Sequence, residues 1–169
     1  MSDPRDSHNI SKSQDLLLRG RWVLTQDTAR RVIPDAAVVV RGPGILDVGP
    51  WAEVAPRHPA AQVLDLGESL LMPGLINSHT HSPMTLFRGA ADDLPLKTWL
   101  EERIWPLEAQ LTRELTYLGS LLACAEMLRT GTTTFSDMYI WQEETGRAVD
   151  RSGMRAVLAE GYMDFPTHT

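Results

Sequence analysis

Cysteine is almost absent: the 169 residues hold one, Cys124, so no disulfide can form within the chain. That usage suits a reducing compartment. Concentrated positive charge is missing too. Lys and Arg number 16 against 22 Asp and Glu, for a net charge of −6, and the densest basic spot is the pair Arg30-Arg31. A nucleic-acid backbone is bound by clustered Lys and Arg, so no nucleic-acid partner is expected. No apolar run approaches the roughly 20 residues that span a bilayer, and no membrane partner is expected either. Residues 1–14 are polar, lack the apolar segment of a secretory signal and read as a flexible tail. Internal repeats and low-complexity stretches are lacking as well. What remains is ordinary globular composition, 43% hydrophobic, enough for one core or for a small domain plus part of another. A cytoplasmic location is expected.

Two textures divide the chain. Residues 15–70 are short β-rich runs separated by turns: Leu16–Leu24, Ala36–Arg41, Ile45–Val48 and Gln62–Leu66, punctuated by Pro34-Asp35, Gly42-Pro43-Gly44 and Gly49-Pro50. One or two helical turns fit between Trp51 and Arg57. Antiparallel strands of this length predict a small β-sandwich segment. Residues 71–169 read differently. The apolar run from Leu70 to Ile76 leads directly into Asn77-Ser78-His79-Thr80-His81. A helical pattern follows from Leu96 to Ile104, closed by Pro106, whose ring cannot continue a helix. Leu111, Leu115, Leu118, Leu122 and Ala125 then recur at helical spacing until Gly131, a good C-cap. Thr132–Phe135 reads as a strand, Glu143–Arg151 as a helix ending at Gly153, and Arg155–Ala159 as a strand. Strand, helices, strand, helix, strand is the alternation of a parallel α/β sheet. A closed (β/α)8 barrel needs eight strands and about 250 residues, and three strands leave an open edge; an incomplete barrel, a fragment, is expected.

His79 and His81 are the first residues with chemistry to offer. In an extended strand, residues i and i+2 project to the same side, so two imidazoles there can reach one metal ion, each at about 2.0 Å from zinc. They follow an apolar strand, where ligands gather at the carboxyl ends of buried parallel strands. Surface or hydrogen-bonded histidines remain the other reading of the bare spacing. Cys124, within a helical apolar pattern, reads as a core filler. His58, in Pro56-Arg57-His58-Pro59, reads as a turn residue, and His8 and His168 sit in the two tails.

Leu71-Met72-Pro73-Gly74-Leu75-Ile76-Asn77-Ser78-His79-Thr80-His81 resembles the opening motif of the amidohydrolase superfamily. There it forms the first barrel strand after an N-terminal β-sandwich segment. Ser82 to Gly89, Asp92-Asp93-Leu94-Pro95-Leu96, Trp99-Leu100, Ile104-Trp105-Pro106-Leu107-Glu108 and Gly131 to Tyr139 are similar to the branch of 5-methylthioadenosine/S-adenosylhomocysteine deaminases. Triazine chlorohydrolases and aminohydrolases are its close relatives. The resemblance implies an α/β fold in which the sandwich segment is followed by the first strands and helices of a metal-dependent (β/α)8 TIM barrel. It also implies that His79 and His81 are two ligands of a divalent metal, zinc with iron as the alternative. That metal activates water for attack on the ring carbon bearing an amino group, and ammonia leaves. The remaining ligands and proton-transfer groups belong to later strands, so no catalytic residue is expected in this segment and the segment alone should be inactive. Glu108 matches the glutamate that accepts from ribose hydroxyls in that branch; its other reading is a carboxylate favouring the N-terminal end of a helix opened by Pro106.

Trp99 and Trp105 read as an aromatic-base wall or, more commonly, as core. Asp137 reads as a structural hydrogen-bond acceptor. Asp92-Asp93 and Glu101-Glu102 read as a solvated loop and an exposed helix face. The substrate expected is an adenine nucleoside, with a triazine or other amino-heterocycle as runner-up, and homo-oligomerisation is left open for a full-length protein. A non-catalytic short chain that pairs with a partner is the rival of a different class.

Overall fold

The computed structural model describes residues 15–161; the expected tail, His8 and His168 lie outside the described residues. Backbone contacts divide the chain into two compact units that part between Pro73 and Gly74.

The first unit is one five-stranded sheet in the order β3-β2-β1-β4, with β5 also paired to β1. Its strands are β1 (Leu16–Leu24), β2 (Val32–Arg41), β3 (Gly44–Pro50), β4 (Gln62–Asp65) and β5 (Leu70–Leu71). Leu17, Ala37 and Val39 pack on Val54 of the one-turn helix α1 (Trp51–Val54). Leu18, Val38 and Val40 project the other way, where with Val23, Val48 and Leu71 they line an open apolar groove of about 350 Å³. Three features differ from expectation. β2 begins at Val32 and runs through Pro34 and Asp35. Proline is tolerated there because β3 pairs only with Ala36–Arg41, leaving β2 an edge strand at Pro34. The expected all-antiparallel pattern holds only for β1, β2 and β3, and the sheet is mixed: β4 and β5 run parallel to β1, because the chain crosses over through α1 instead of turning back in a hairpin. Finally, Leu70–Ile76 is not one strand. Leu70–Leu71 joins this sheet, and the next strand starts only at Leu75.

The second unit is a parallel sheet in the order β6-β7-β8, formed by Leu75–Thr80, Thr132–Tyr139 and Arg155–Glu160. Between β6 and β7 lie a 3-10 segment (Ser82–Phe87), a helical stretch over residues 96–108 and the long helix α4 (Arg113–Arg129); α5 (Gln142–Ser152) links β7 to β8. Cys124, Phe135 and Met154 form the core, joined by Met127, Val149, Ala156 and Leu158. Cys124 is thus the core filler expected, and burial pushes its thiol pKa up, away from the reactive thiolate.

Pro106 does not end a helix. Residues 96–108 run as α2 (Leu96–Trp99), a π-helical turn (Leu100–Ile104) and α3 (Trp105–Glu108). The wider turn shifts the hydrogen-bond pattern just before the proline, where its missing N–H and its ring are accommodated. In α4 the leucines at helical spacing face outward: Leu115, Leu118 and Leu122 are 39–45% exposed, whereas Thr116, Gly119, Ser120, Ala123 and Cys124 are buried. Small residues are needed inside because α4 lies against the 3-10 segment; a Cβ on Gly119 would stand 2.7 Å from the Pro83 carbonyl oxygen. Thr112 starts the helix, its hydroxyl accepting from Leu115 N–H at 3.2 Å. At the other end Gly131 takes φ +87°, conformational space natural to glycine.

Candidate active site

His79 is the penultimate residue of β6, and His81 lies one residue beyond its end. Their rings are edge-to-face with centroids 5.0 Å apart, so the two imidazoles meet as the i, i+2 spacing requires. His81 is held by β7. Its Nδ1 is 2.5 Å from the backbone oxygen of Met138. A carbonyl can only accept, so Nδ1 is the donor in this bond and Nε2 is the ring nitrogen left to face a metal. A backbone carbonyl fixing one ring nitrogen is the usual support of a metal-binding histidine. As nitrogen donors the two residues fit two positions of a zinc ligand set. Among the described residues no three His, Cys, Asp or Glu side chains gather as a metal cluster.

The residue before Met138 holds the same corner. Asp137 is 2% exposed and accepts from Ser82 N–H at 2.9 Å, from the Ser82 hydroxyl at 2.7 Å and from the Gln142 side-chain amide at 3.1 Å. Ser82 directly follows His81, so two successive β7 residues fix His81: Met138 by its ring and Asp137 by its outgoing backbone. Ser120 continues the buried network, with its hydroxyl 3.3 Å from Ser82 and 3.0 Å from Thr145. Thr85 donates to the Gly119 carbonyl at 2.8 Å, pinning the 3-10 segment to α4. Asp137 thus makes the structural hydrogen bonds expected of it.

Phe135, Asp137 and Tyr139 alternate along β7 and are all buried. Tyr139, at the carboxyl end, donates its hydroxyl to Glu108 Oε1 at 2.6 Å, and its ring lies 5.7 Å from that of His81. Burial, then the hydrogen bond donated to Glu108 and the charges of Glu108 and Asp137, push the phenol pKa well above its ordinary value. Tyr139 is therefore a permanent neutral donor at working pH. Glu108, half-buried at the end of α3, is brought through this bond to the same end of the sheet as the histidines.

The sequence motif contained Tyr139 without any sign of its role; its period-2 relation to Asp137 was the one available signal. Trp99, half-buried, donates its indole N–H to the Ala91 carbonyl at 3.3 Å, tying down the loop before α2. Trp105 is half-buried beside Glu108 in sequence. Asp92, Asp93, Glu101 and Glu102 are exposed, and His58 lies in a turn of the first unit, 3.1 Å from Asp47. No helix among the described residues is long and apolar enough to cross a membrane.

His79 and His81 thus stand at the carboxyl end of a parallel strand, where α/β folds place their ligand sites. Residues 70–169 match the amidohydrolase family, and the chain belongs to that family. It is 50% identical over 158 residues to a 5-methylthioadenosine/S-adenosylhomocysteine deaminase of Nitratidesulfovibrio vulgaris, a match covering 94% of this chain and 36% of the relative. It is 48% identical over 152 residues to a 5'-deoxyadenosine deaminase of Methanosarcina mazei, covering 89% and 34%. Among solved structures, an adenosine deaminase from Xanthomonas campestris with bound zinc superposes with a TM-score of 0.79 at 37% identity, covering 92% of this chain and 36% of that one. The chain spans about a third of the length of these relatives.

Proposed function

We propose that this chain is the N-terminal part of a zinc-dependent hydrolase that deaminates adenine nucleosides, converting nucleoside and water to the 6-oxo nucleoside and ammonia. The observation that carries the reading is the convergence of His79, His81 and Glu108, through Tyr139, at the carboxyl ends of β6 and β7. His79 and His81 would hold the metal, which supplies a water activated for attack near neutral pH. Residues of this segment orient and bind; the groups that move protons are expected from later strands, and the segment alone is inactive. Glu108 would accept from the ribose 2'- and 3'-hydroxyls, since an ionised acceptor makes the stronger hydrogen bond. The relatives' names fit that role: methylthioadenosine, S-adenosylhomocysteine, 5'-deoxyadenosine and adenosine differ at the 5' position and share adenine and the diol.

Residues 15–70 form a segment of a composite β-sandwich, whose second layer would cover the apolar groove over Leu18, Val38 and Val40. Residues 71–169 open a (β/α)8 barrel. Ile76 and Val157, 73% and 69% exposed on the three-stranded sheet, would be covered by the remaining strands.

The test uses the full-length protein, loaded with zinc and offered S-adenosylhomocysteine, 5-methylthioadenosine and 5'-deoxyadenosine, with ammonia release as the readout. Turnover of these nucleosides is expected, together with loss of bound zinc by elemental analysis in His79→Asn and His81→Asn. A protein that turns over triazines but no adenine nucleoside, or that keeps its zinc without both histidines, refutes the reading.

A further inference from the structure

We infer that Tyr139 is a positioning residue for Glu108, fixing its carboxylate so that the site selects ligands carrying a vicinal diol; the inference rests on the ribose reading of Glu108. Three observations carry it. The Tyr139 hydroxyl donates to Glu108 Oε1 at 2.6 Å, the short distance of a bond to an ionised acceptor. Tyr139 itself is 8% exposed, so its ring is locked by packing. Its ring also lies 5.7 Å from that of His81, and His81 in turn is bonded to the neighbouring residue Met138. Tyrosine and histidine are thus registered on the same end of β7, and Tyr139 transmits that register to a carboxylate on a different element.

The physical consequence concerns freedom. Glu108 lies at the end of the short helix α3, after a π-helical turn and a proline, and its carboxylate is reached from a different element by the Tyr139 hydroxyl. A carboxylate has about four acceptor positions on its two oxygens. One is taken by the phenol, which sets the plane of the group and leaves the others for hydroxyls of a ligand. Two adjacent hydroxyls can engage an oriented carboxylate together, whereas a single hydroxyl or none gains little from its orientation. Side-chain ordering already met before binding appears as affinity, and the role therefore shows in KM more than in kcat.

The experiment compares wild type, Tyr139→Phe, Glu108→Ala and the double variant of the full-length zinc enzyme. The substrates are 5-methylthioadenosine and its 2',3'-dideoxy analogue. Phenylalanine keeps the packed ring and removes only the hydroxyl. The expected result is an approximately tenfold fall in the diol-to-dideoxy ratio of kcat/KM in Tyr139→Phe, on the order of one charge-assisted hydrogen bond. The fall should be carried mainly by KM for the diol substrate, with no further fall when Tyr139→Phe is added to Glu108→Ala. Equal losses on both substrates, as a merely structural tyrosine gives, overturn the inference, as does an unchanged ratio in Tyr139→Phe or full additivity in the double variant. If Glu108→Ala alone leaves the ratio unchanged, the ribose reading fails and takes this inference with it. If Glu108→Ala lowers the ratio and Tyr139→Phe does not, only the role of Tyr139 falls.

Discussion

Replacing Asp137 with Ala should destabilise the protein and loosen its metal site together, because one carboxylate serves both. The group is 2% exposed and accepts three hydrogen bonds. After truncation the Ser82 hydroxyl keeps Ser120 at 3.3 Å, but the Ser82 N–H and one Gln142 N–H lose their recorded acceptor in a buried place. Each such orphan costs about 1–3 kcal/mol, and relief from burying a charge offsets part of the sum. A net loss of about 3 kcal/mol is expected, which at roughly 2–4 °C per kcal/mol lowers the melting temperature by about 6–12 °C. Asn keeps one acceptor oxygen and the volume, so Asp137→Asn should lose about 1 kcal/mol. Because Ser82 carries the backbone leaving His81, zinc affinity should also fall in the alanine variant, by about 10- to 100-fold as for other supports of metal ligands. Differential scanning fluorimetry of the metal-free proteins and a competitive zinc titration read the two effects separately. An alanine variant within 1 °C of wild type, or an asparagine variant as damaged as alanine, would refute the network as described.

Two further outcomes are expected. Gly119→Ala should cost about 1–3 kcal/mol, since the added methyl would meet the Pro83 carbonyl at 2.7 Å and backbone must yield; a melting temperature equal to wild type would mean that α4 does not pack this closely. In the first unit, the hydrogen bond from Arg31 holds the Asp27 pKa at about 2, and that from Arg41 lowers Asp15. Burial alone would raise Asp47, but Arg57 and His58 outweigh it and lower that pKa as well. Depressed carboxylates contribute stability that is complete above their unfolded value near 3.9 and is lost as pH falls through the folded one. Acid unfolding of this unit, followed by circular dichroism, should therefore steepen between about pH 4 and pH 2, and Asp27→Asn should reduce that steepening. A profile in the variant identical to wild type would remove Asp27 from the account.

What could be read from the sequence, and what could not, divides along physical lines. Strand and helix existence followed from local signals: turn dipeptides, the glycine stops at Gly131 and Gly153, and the β-branched run at Thr132. The histidine pair was legible for the same reason, since i, i+2 spacing is a property of one strand. The errors lie where distant parts of the chain decide. Pro34 could stay in a strand because β3 happens not to pair there, a fact about a neighbour. Pro106 could stay in a helical stretch because the π turn before it absorbs the misfit, and nothing in the composition of Leu100–Ile104 announces that turn.

Helix α4 shows the limit most clearly. Its leucines at 115, 118 and 122 have helical spacing, yet they are 39–45% exposed. The buried face is instead Thr116, Gly119, Ser120, Ala123 and Cys124, because the helix lies close against a 3-10 segment and a strand, and close approach admits small side chains only. Periodicity reports that a helix has two chemically different faces; which of them faces the sheet depends on the distance to be filled. The polar part of that inner face then acquires a purpose: Ser120 joins Ser82, Asp137 and Thr145 in the network that fixes the segment leaving His81. The same reasoning explains why Tyr139 escaped notice while Glu108 did not. Glu108 has a charge and a motif around it, whereas Tyr139 matters only through a contact between residues 31 apart, which no local pattern encodes.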